Sequence, residues 1–81
     1  MTDFLKITIK NLVEHPAEVL INESVEENSV FYEVYLKPED VGRVIGRHGQ
    51  IIDSIRQILK AVGKKKGINY FIEIKEHLVK N

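Results

Sequence analysis

The sequence has 81 residues, a formal net charge of zero and no cysteine, so it offers room for one compact domain and excludes disulfides and thiolate metal sites. Apolar residues make up 43% and charged residues 30% of the chain, which is typical of a globular protein. No apolar run approaches the about 18 residues of a membrane span, and the N-terminus lacks the pattern of a secretory leader, so we expect a cytoplasmic protein with one domain over residues 1–81 and no membrane partner.

The charges are unevenly distributed along the chain. Residues 1–40 hold three basic and nine acidic residues, whereas residues 41–81 hold nine basic and three acidic ones. Because salt screens charges beyond about 10 Å, the basic half can attract a polyanion although the total charge is zero. Three histidines, His15, His48 and His77, lie at no metal-ligand spacing, so we expect neither a metal nor a cofactor.

The first segment has helical periodicity. Leucine and isoleucine residues recur at helical spacing and predict a helix over residues 3–14. Asp3 is its expected N-cap, and Pro16 is expected to stop it. The stretch FLKITIK also alternates as a strand does, so the sequence leaves that alternative open.

Two strands are predicted next. Residues 18–25 hold β-branched residues in rough alternation, and residues 29–37 alternate more clearly. A turn is predicted at residues 26–28. One face of the second strand is apolar and is expected to face the core: Val30, Tyr32, Val34 and Leu36.

Two helices separated by a glycine turn follow. Pro38 suits the first turn of a helix that ends at Gly46. The next helix begins at residues 49–50 and runs to Val62, where Gly63 is expected to cap it. Its apolar residues are expected to form one core-facing stripe without a surplus apolar face: Ile51, Ile52, Ile55, Ile58, Leu59 and Val62.

A basic loop at residues 64–67, a last strand at residues 68–75 and a short polar tail complete the pattern. The element order is therefore α-β-β-α-α-β. This order predicts an α+β sandwich of two layers, in which three helices cover one face of a three-stranded sheet.

The stretch Gly46-Arg47-His48-Gly49 between the two helices carries the chemistry. Glycine at both ends accepts a positive φ and leaves no side chain in the way of a ligand. We expect free backbone N–H groups, that of Gly49 included, at the positive end of the following helix, where a phosphate binds well. Arg47 is expected to reach phosphate oxygens from the same turn, whereas His48 either donates one hydrogen bond to them or is simply solvated.

Set within VIGRHGQII, this turn resembles the GXXG signature of KH domains, which clamps about four nucleotides of single-stranded nucleic acid. The element order resembles the bacterial, type II arrangement. The resemblance extends over nearly the whole chain, from a first helix that ends in HP to the basic loop, and it is to the small bacterial KhpA-type RNA-binding family.

The resemblance implies a hydrophobic groove beside the turn that receives bases. Its candidate residues on this chain are apolar: Val44, Ile45, Ile52 and, on the strand side, Ile72. Most isoleucines of that helix are equally well explained as core. The candidate phosphate contacts outside the turn are basic: Arg43, Lys64, Lys65 and Lys66. Three lysines in a loop are more often simply solvated, so that alternative stays open for residues 64–66.

The resemblance also implies a function: binding of single-stranded RNA with low sequence specificity, as an RNA chaperone or post-transcriptional regulator. Such proteins are expected to pair with themselves or with a larger KhpB/Jag-type KH protein, and Ser54 and Ala61 form a small-residue edge that a second helix would fit. An alternative is a protein-interaction module that acts mainly through such a partner. An enzyme is not expected, because the glycines do not match the phosphate-loop spacing and no nucleophile–base pair is evident.

Overall fold

The six predicted elements are present in the predicted order. In the computed structural model, which describes residues 1–77, the helices are α1 (Thr2–Leu12), α2 (Pro38–Ile45) and α3 (Gln50–Lys66), and the strands are β1 (Leu20–Glu26), β2 (Ser29–Leu36) and β3 (Asn69–Glu76). Two short 3-10 turns, Pro16–Glu18 and Arg47–Gly49, lie between them. Of the predicted polar tail, Glu76 is the last residue of β3, and residues 78–81 lie outside the described residues.

The strands form one mixed sheet with β2 in its centre. β1 pairs antiparallel with β2, with Ile21 opposite Val34. β3 pairs parallel with β2, with Ile72 opposite Tyr32, because α2 and α3 carry the chain back to the end of the sheet where β2 began. Both β1 and β3 are therefore edge strands.

One face of the sheet carries the core. The alternation predicted for β2 is confirmed, since its four inward side chains are at most 9% exposed: Val30, Tyr32, Val34 and Leu36. Buried residues from all three helices join them in a single cluster: Leu5, Ile9, Val44, Ile52, Ile55 and Leu59. The fold is the predicted two-layer α+β sandwich. Among the described helices, none is both long and apolar enough to cross a membrane.

The first element is the helix and not the alternative strand. Leu5 and Ile9 are completely buried, and burial of side chains one helical turn apart fixes α1 on the sheet. Met1 is the N-cap, so the prediction of Asp3 as N-cap is wrong; from the first turn, Asp3 still complements the positive helix end. α1 ends before Pro16, which begins a 3-10 turn.

The end of α3 differs from the prediction. The helix continues through Gly63 to Lys66, so the three lysines form its last turn and not a loop. Gly67 takes a left-handed φ of 70°, and the N–H of Ile68 donates to the carbonyl of Gly63 at 2.9 Å, which is a Schellman cap. A Cβ on Gly63 would overlap the carbonyl oxygen of Ile68 and lie 3.1 Å from the ring of Tyr70. Glycine at 63 therefore lets α3 pack closely on β3.

The predicted apolar stripe of α3 is only partly correct. Ile52, Ile55 and Leu59 are buried, but Ile58 is 45% exposed. Gly63 contacts β3, and on an ideal helix Ile58 lies about 140° from it around the helix axis. Ile58 therefore points away from the sheet. The expectation that α3 has no surplus apolar face is therefore wrong at Ile58.

Candidate nucleic-acid interface

The chain reverses between α2 and α3 through Gly46 and the turn Arg47–Gly49. Gly46 ends α2 with φ 78° and ψ 172°, and its N–H donates back into that helix. His48 (φ 55°) and Gly49 (φ 74°) then both adopt left-handed backbone before α3 begins. Two consecutive residues of this kind turn the chain sharply, and the side chains of Arg47 and His48 are left exposed at the tip.

The two glycines of the turn have different surroundings. A Cβ on Gly46 would lie 2.6 Å from Cγ1 of Ile51, whereas a Cβ on Gly49 would meet no atom within 4 Å. Glycine at 46 is therefore required by the protein's own packing. The expectation of room for a ligand holds at Gly49, which faces open space.

The backbone donors of the turn also differ from the expectation. The N–H of Gly49 donates to the carbonyl of Gly46 at 3.1 Å, and that of Gln50 donates to the carbonyl of Arg47, so the prediction of a free Gly49 N–H is wrong. These two bonds close the turn. The N–H groups of Arg47 and His48 begin it, and the first N–H groups of a helical turn have no acceptor within that turn. α3 has no side-chain N-cap, so its positive end is open to an anion.

The side chain of Arg47 is the strongest cation at the turn. It forms no salt bridge with any described residue, so its guanidinium is available for two parallel hydrogen bonds to a phosphate. Asp53, in the first turn of α3, pairs with Arg56 at 3.5 Å. This pairing offsets part of both charges, so Asp53 repels an anion at the turn less strongly and Arg56 attracts one less strongly.

Arg43 is held by carboxylates. Its Nη2 lies 2.8 Å from Oε1 of Glu14, and its Nε lies 3.7 Å from Oδ1 of Asp40. Because these carboxylates offset much of its charge, Arg43 is a weaker phosphate ligand than Arg47.

Asp40 joins the segment after α1 to the start of α2. Its carboxylate is 1% exposed and accepts hydrogen bonds from the N–H groups of Glu14 and His15, at 3.0 Å each. Burial by itself would raise the pKa of Asp40, but the two N–H donors, with His15 and Arg43 nearby, hold that pKa below its ordinary value of 3.8. Within residues 1–77, no three His, Cys, Asp or Glu side chains form a group that could hold a metal ion.

A groove of about 870 Å³ runs between the C-terminal half of α3 and the edge strand β3. The strand side is formed by residues 67–72. Three cations line the helix side, Arg56, Lys60 and Lys64; spaced four residues apart, they form a row along one face of α3. This arrangement suits a polymer with regularly spaced phosphates and apolar base faces.

The apolar groove residues predicted from the resemblance lie in different places. Ile72 lines the groove and is 7% exposed. Val44 and Ile52 are 0% and 5% exposed within the core, and Ile45 is half-buried. None of these three lines the groove. Val44 and Ile52 instead hold α2 and α3 on the sheet.

The three consecutive lysines do not form one patch. Successive helical residues point about 100° apart, and Lys64 lines the groove whereas Lys65 and Lys66 do not. Arg56 and Lys60 are not among the predicted site residues, because the predicted helix ends at Val62 and so separates Lys64 from them. The spacing of four residues between these three cations was the signal that would have found the row.

Two helices joined by a GXXG turn, followed by a strand that pairs in parallel at the sheet edge, define a KH domain of type II. A profile of the family described as "KhpA/KhpB, KH domain" matches residues 2–74. The chain belongs to this family.

Three curated relatives are named "RNA-binding protein KhpA". That of Clostridium perfringens is 38% identical over 74 residues, which cover 91% of this chain and 99% of the relative. That of Chlamydia caviae is 38% identical over 76 residues, covering 94% and 97%. That of Listeria monocytogenes is 37% identical over 76 residues, covering 94% and 100%. No solved structure gave a significant match.

Proposed function

We propose that this chain binds single-stranded RNA, with the phosphate backbone held at the turn Arg47–Gly49 and the bases in the groove between α3 and β3. The observation that carries the proposal is the exposed turn: the guanidinium of Arg47 pairs with no carboxylate of residues 1–77, and the open side of Gly49 lies two residues along the chain. The relatives named above are RNA-binding proteins by name and align over nearly their whole length, which supports the same class of ligand for this chain.

The distance between the turn and the groove supports one continuous site. An α-helix rises 1.5 Å per residue, so Lys64 lies about 21 Å along α3 from Gln50, with Arg56 and Lys60 between them. A surface of this length suits a few extended nucleotides, in keeping with the about four that a KH domain clamps.

Low sequence specificity follows from the chemistry of the site. Contacts to phosphates position a strand but carry no sequence information, and the charged residues that line the groove are all cations suited to phosphates: Arg56, Lys60 and Lys64. A protein with such a site would act on many RNAs. We therefore propose a role as an RNA chaperone or post-transcriptional regulator.

Fluorescence anisotropy with a short 5′-labelled oligonucleotide tests the proposal. We expect single-stranded RNA to bind, with an affinity that falls as salt rises. A duplex of the same sequence should bind less well, because paired bases cannot enter the groove. UV cross-linking should place the RNA on the turn Arg47–Gly49 and on residues 68–72 of the groove. Absence of binding at low salt, or equal affinity for the duplex, would contradict the proposal.

A second candidate function is protein interaction through α3, with a second copy or with a larger KH protein of the KhpB/Jag type. The observation that favours it is Ile58, 45% exposed on the side of α3 that also carries the exposed small residues Ser54 and Ala61. The hydroxyl of Ser54 donates to the carbonyl of Gln50 at 2.9 Å, so a partner helix would not have to satisfy it. Pairing through this face is compatible with RNA binding, because the α3–β3 groove lies on another side of the helix, and it would raise avidity.

A further inference from the structure

The outer face of the sheet, opposite the helices, carries an aromatic pair. Phe31 of β2 and Phe71 of β3 are register partners. Their rings stack with centroids 4.9 Å apart and planes inclined by 12°. The two residues are 38% and 50% exposed, so the pair presents apolar ring surface to a ligand.

The direction of the stack follows from the geometry of the sheet. Neighbouring strands lie about 4.8 Å apart, which matches the ring separation, so the rings face each other across the two strands. Because β3 is an edge strand, the second face of the Phe71 ring looks outward past the sheet edge. That edge is also the strand side of the α3–β3 groove, and Phe71 is one of the residues that line it.

The charges on the two sides of Phe71 are opposite. The cation row of α3 lies across the groove. On the outer face of the sheet, Glu73 follows two residues along β3, whereas Glu33 and Lys75 offset each other's charge at 2.8 Å. Phosphates are therefore attracted towards α3 and repelled by Glu73. A nucleotide at this edge would turn its base towards Phe71.

We propose that Phe71 is a stacking platform for one RNA base at the strand edge of the groove; this inference rests on the RNA binding proposed above. The base continues the stack of Phe31 and Phe71, and the neighbouring phosphates lie along the cation row. Purines offer a larger π surface than pyrimidines. Phe71 therefore gives the site a preference for adenine over uracil.

Substitution of Phe71 tests the platform. Loss of one base–aromatic stack weakens single-strand binding by about 5- to 150-fold. We expect Phe71→Leu to weaken oligoadenylate binding within that range and to weaken oligouridylate binding less. The ratio of the affinity for oligoadenylate to that for oligouridylate should therefore fall. Phe71→Tyr keeps the aromatic ring and should retain both the affinity for RNA and the ratio of the two affinities. A merely structural role of residue 71 would not link the base preference to the ring. An unchanged ratio in Phe71→Leu would overturn the inference.

Fluorescence gives an independent readout, because the chain contains no tryptophan. In a Phe71→Trp variant, stacking of a base on the indole should quench its emission as oligoadenylate is added. The matched variant Phe31→Trp places the indole on the central strand, where quenching should be much smaller. Equal quenching in both variants, or none in Phe71→Trp while anisotropy reports binding, would overturn the platform.

The failure of this inference is distinguishable from the failure of RNA binding. If wild-type protein binds RNA but Phe71→Leu keeps its affinity and adenine preference, the platform is wrong and the proposed function stands. If wild-type protein binds no oligonucleotide, both are wrong. If Phe71→Leu changes sedimentation and leaves RNA affinity intact, the aromatic pair serves protein association and the platform is also overturned.

Discussion

A Cβ on residue 46 would lie 2.6 Å from Cγ1 of Ile51, in the first turn of α3. The backbone of Gly46, with φ 78° and ψ 172°, also lies in a region that is almost exclusive to glycine. Gly49 is left-handed too, but its missing side chain faces open space. The two glycines of the GXXG turn therefore have different roles: Gly46 is required for the packing of the turn against α3, and Gly49 leaves the surface of the turn open.

This difference predicts unequal costs for the same substitution. Gly46→Ala should reduce the free energy of unfolding by about 2–4 kcal/mol, because it combines a strained backbone with overpacking. Gly49→Ala should reduce the free energy of unfolding by only about 1 kcal/mol, because it strains the left-handed backbone without overpacking. Urea denaturation of both variants measures the difference. Equal losses would show that Ile51 does not constrain residue 46.

Charge at residue 49 should control RNA affinity. Gly49→Asp places a carboxylate at the phosphate site and should weaken RNA binding at least tenfold. Asparagine has nearly the same shape as aspartate and tolerates left-handed backbone. Gly49→Asn is therefore the matched control, and its RNA affinity should fall only a few-fold. Anisotropy at low salt compares them. If both variants lost affinity equally, the effect would be steric and the phosphate site would not be at Gly49.

The helical arrangement of the lysines predicts a difference between neighbours. Lys64 lines the groove whereas Lys65 does not. For a single strand, each phosphate contact contributes about 0.7 to the slope of log affinity against log salt. Lys64→Gln should therefore lower that slope by about 0.7 and weaken binding, while Lys65→Gln should change neither. A similar loss in both variants would favour diffuse attraction over a groove.

Asp40 predicts acid sensitivity. Its pKa is held below the ordinary value of 3.8, so the folded state binds the proton less well than the unfolded state. The carboxylate therefore stabilises the fold above about pH 4, and this contribution is lost as the pH falls through the lowered pKa. Asp40→Asn should have a lower Tm at neutral pH and a weaker dependence of Tm on pH in the acid range.

The exposed carboxylate of Asp53, 62% accessible in its side chain, provides the control for Asp40. Asp53→Asn should leave the Tm at neutral pH close to that of the wild type. If Asp40→Asn does not alter the dependence of Tm on pH in the acid range, Asp40 is not the group that makes the fold sensitive to acid.

The exposed Ile58 predicts an effect on association. Ile58→Glu should weaken self-association, or pairing with a KhpB-type partner, more than tenfold, because a charge would be buried in a helix contact. Ile7 of α1 is 65% exposed and lies on another element, so Ile7→Glu is the matched control. Sedimentation velocity measures both. A monomeric wild type that also pairs with no KhpB-type protein would remove this second function.

Local pattern was sufficient for much of the fold. The alternation of Val30 to Leu36 predicted a half-buried strand, and Pro38 with Gly46 predicted the bounds of α2, since each of these signals acts within a few residues. The end of α3 was placed too early, because Gly63 and Gly67 are both plausible caps by sequence. Only the contact of Gly63 with Ile68 and Tyr70 distinguishes the two.

The site was predictable at the turn and not around it. The motif located Arg47 and His48 at an exposed reversal. The pairing of Arg43 with Glu14 joins residues 29 apart in sequence, and the position of Phe71 beside the cation row depends on β3 being an edge strand. Neither relationship leaves a local signal, because both arise from tertiary packing.

If RNA occupies the turn and the α3–β3 groove together, titration of ¹⁵N-labelled protein with a short single-stranded RNA should perturb both. We predict that the amide resonances of Arg47, His48 and Gly49 shift in step with those of residues 56–64 and 68–72, and that those of α1 do not shift. Shifts confined to α1 and β1, or unshifted turn resonances while RNA binds, would show that RNA does not occupy this site.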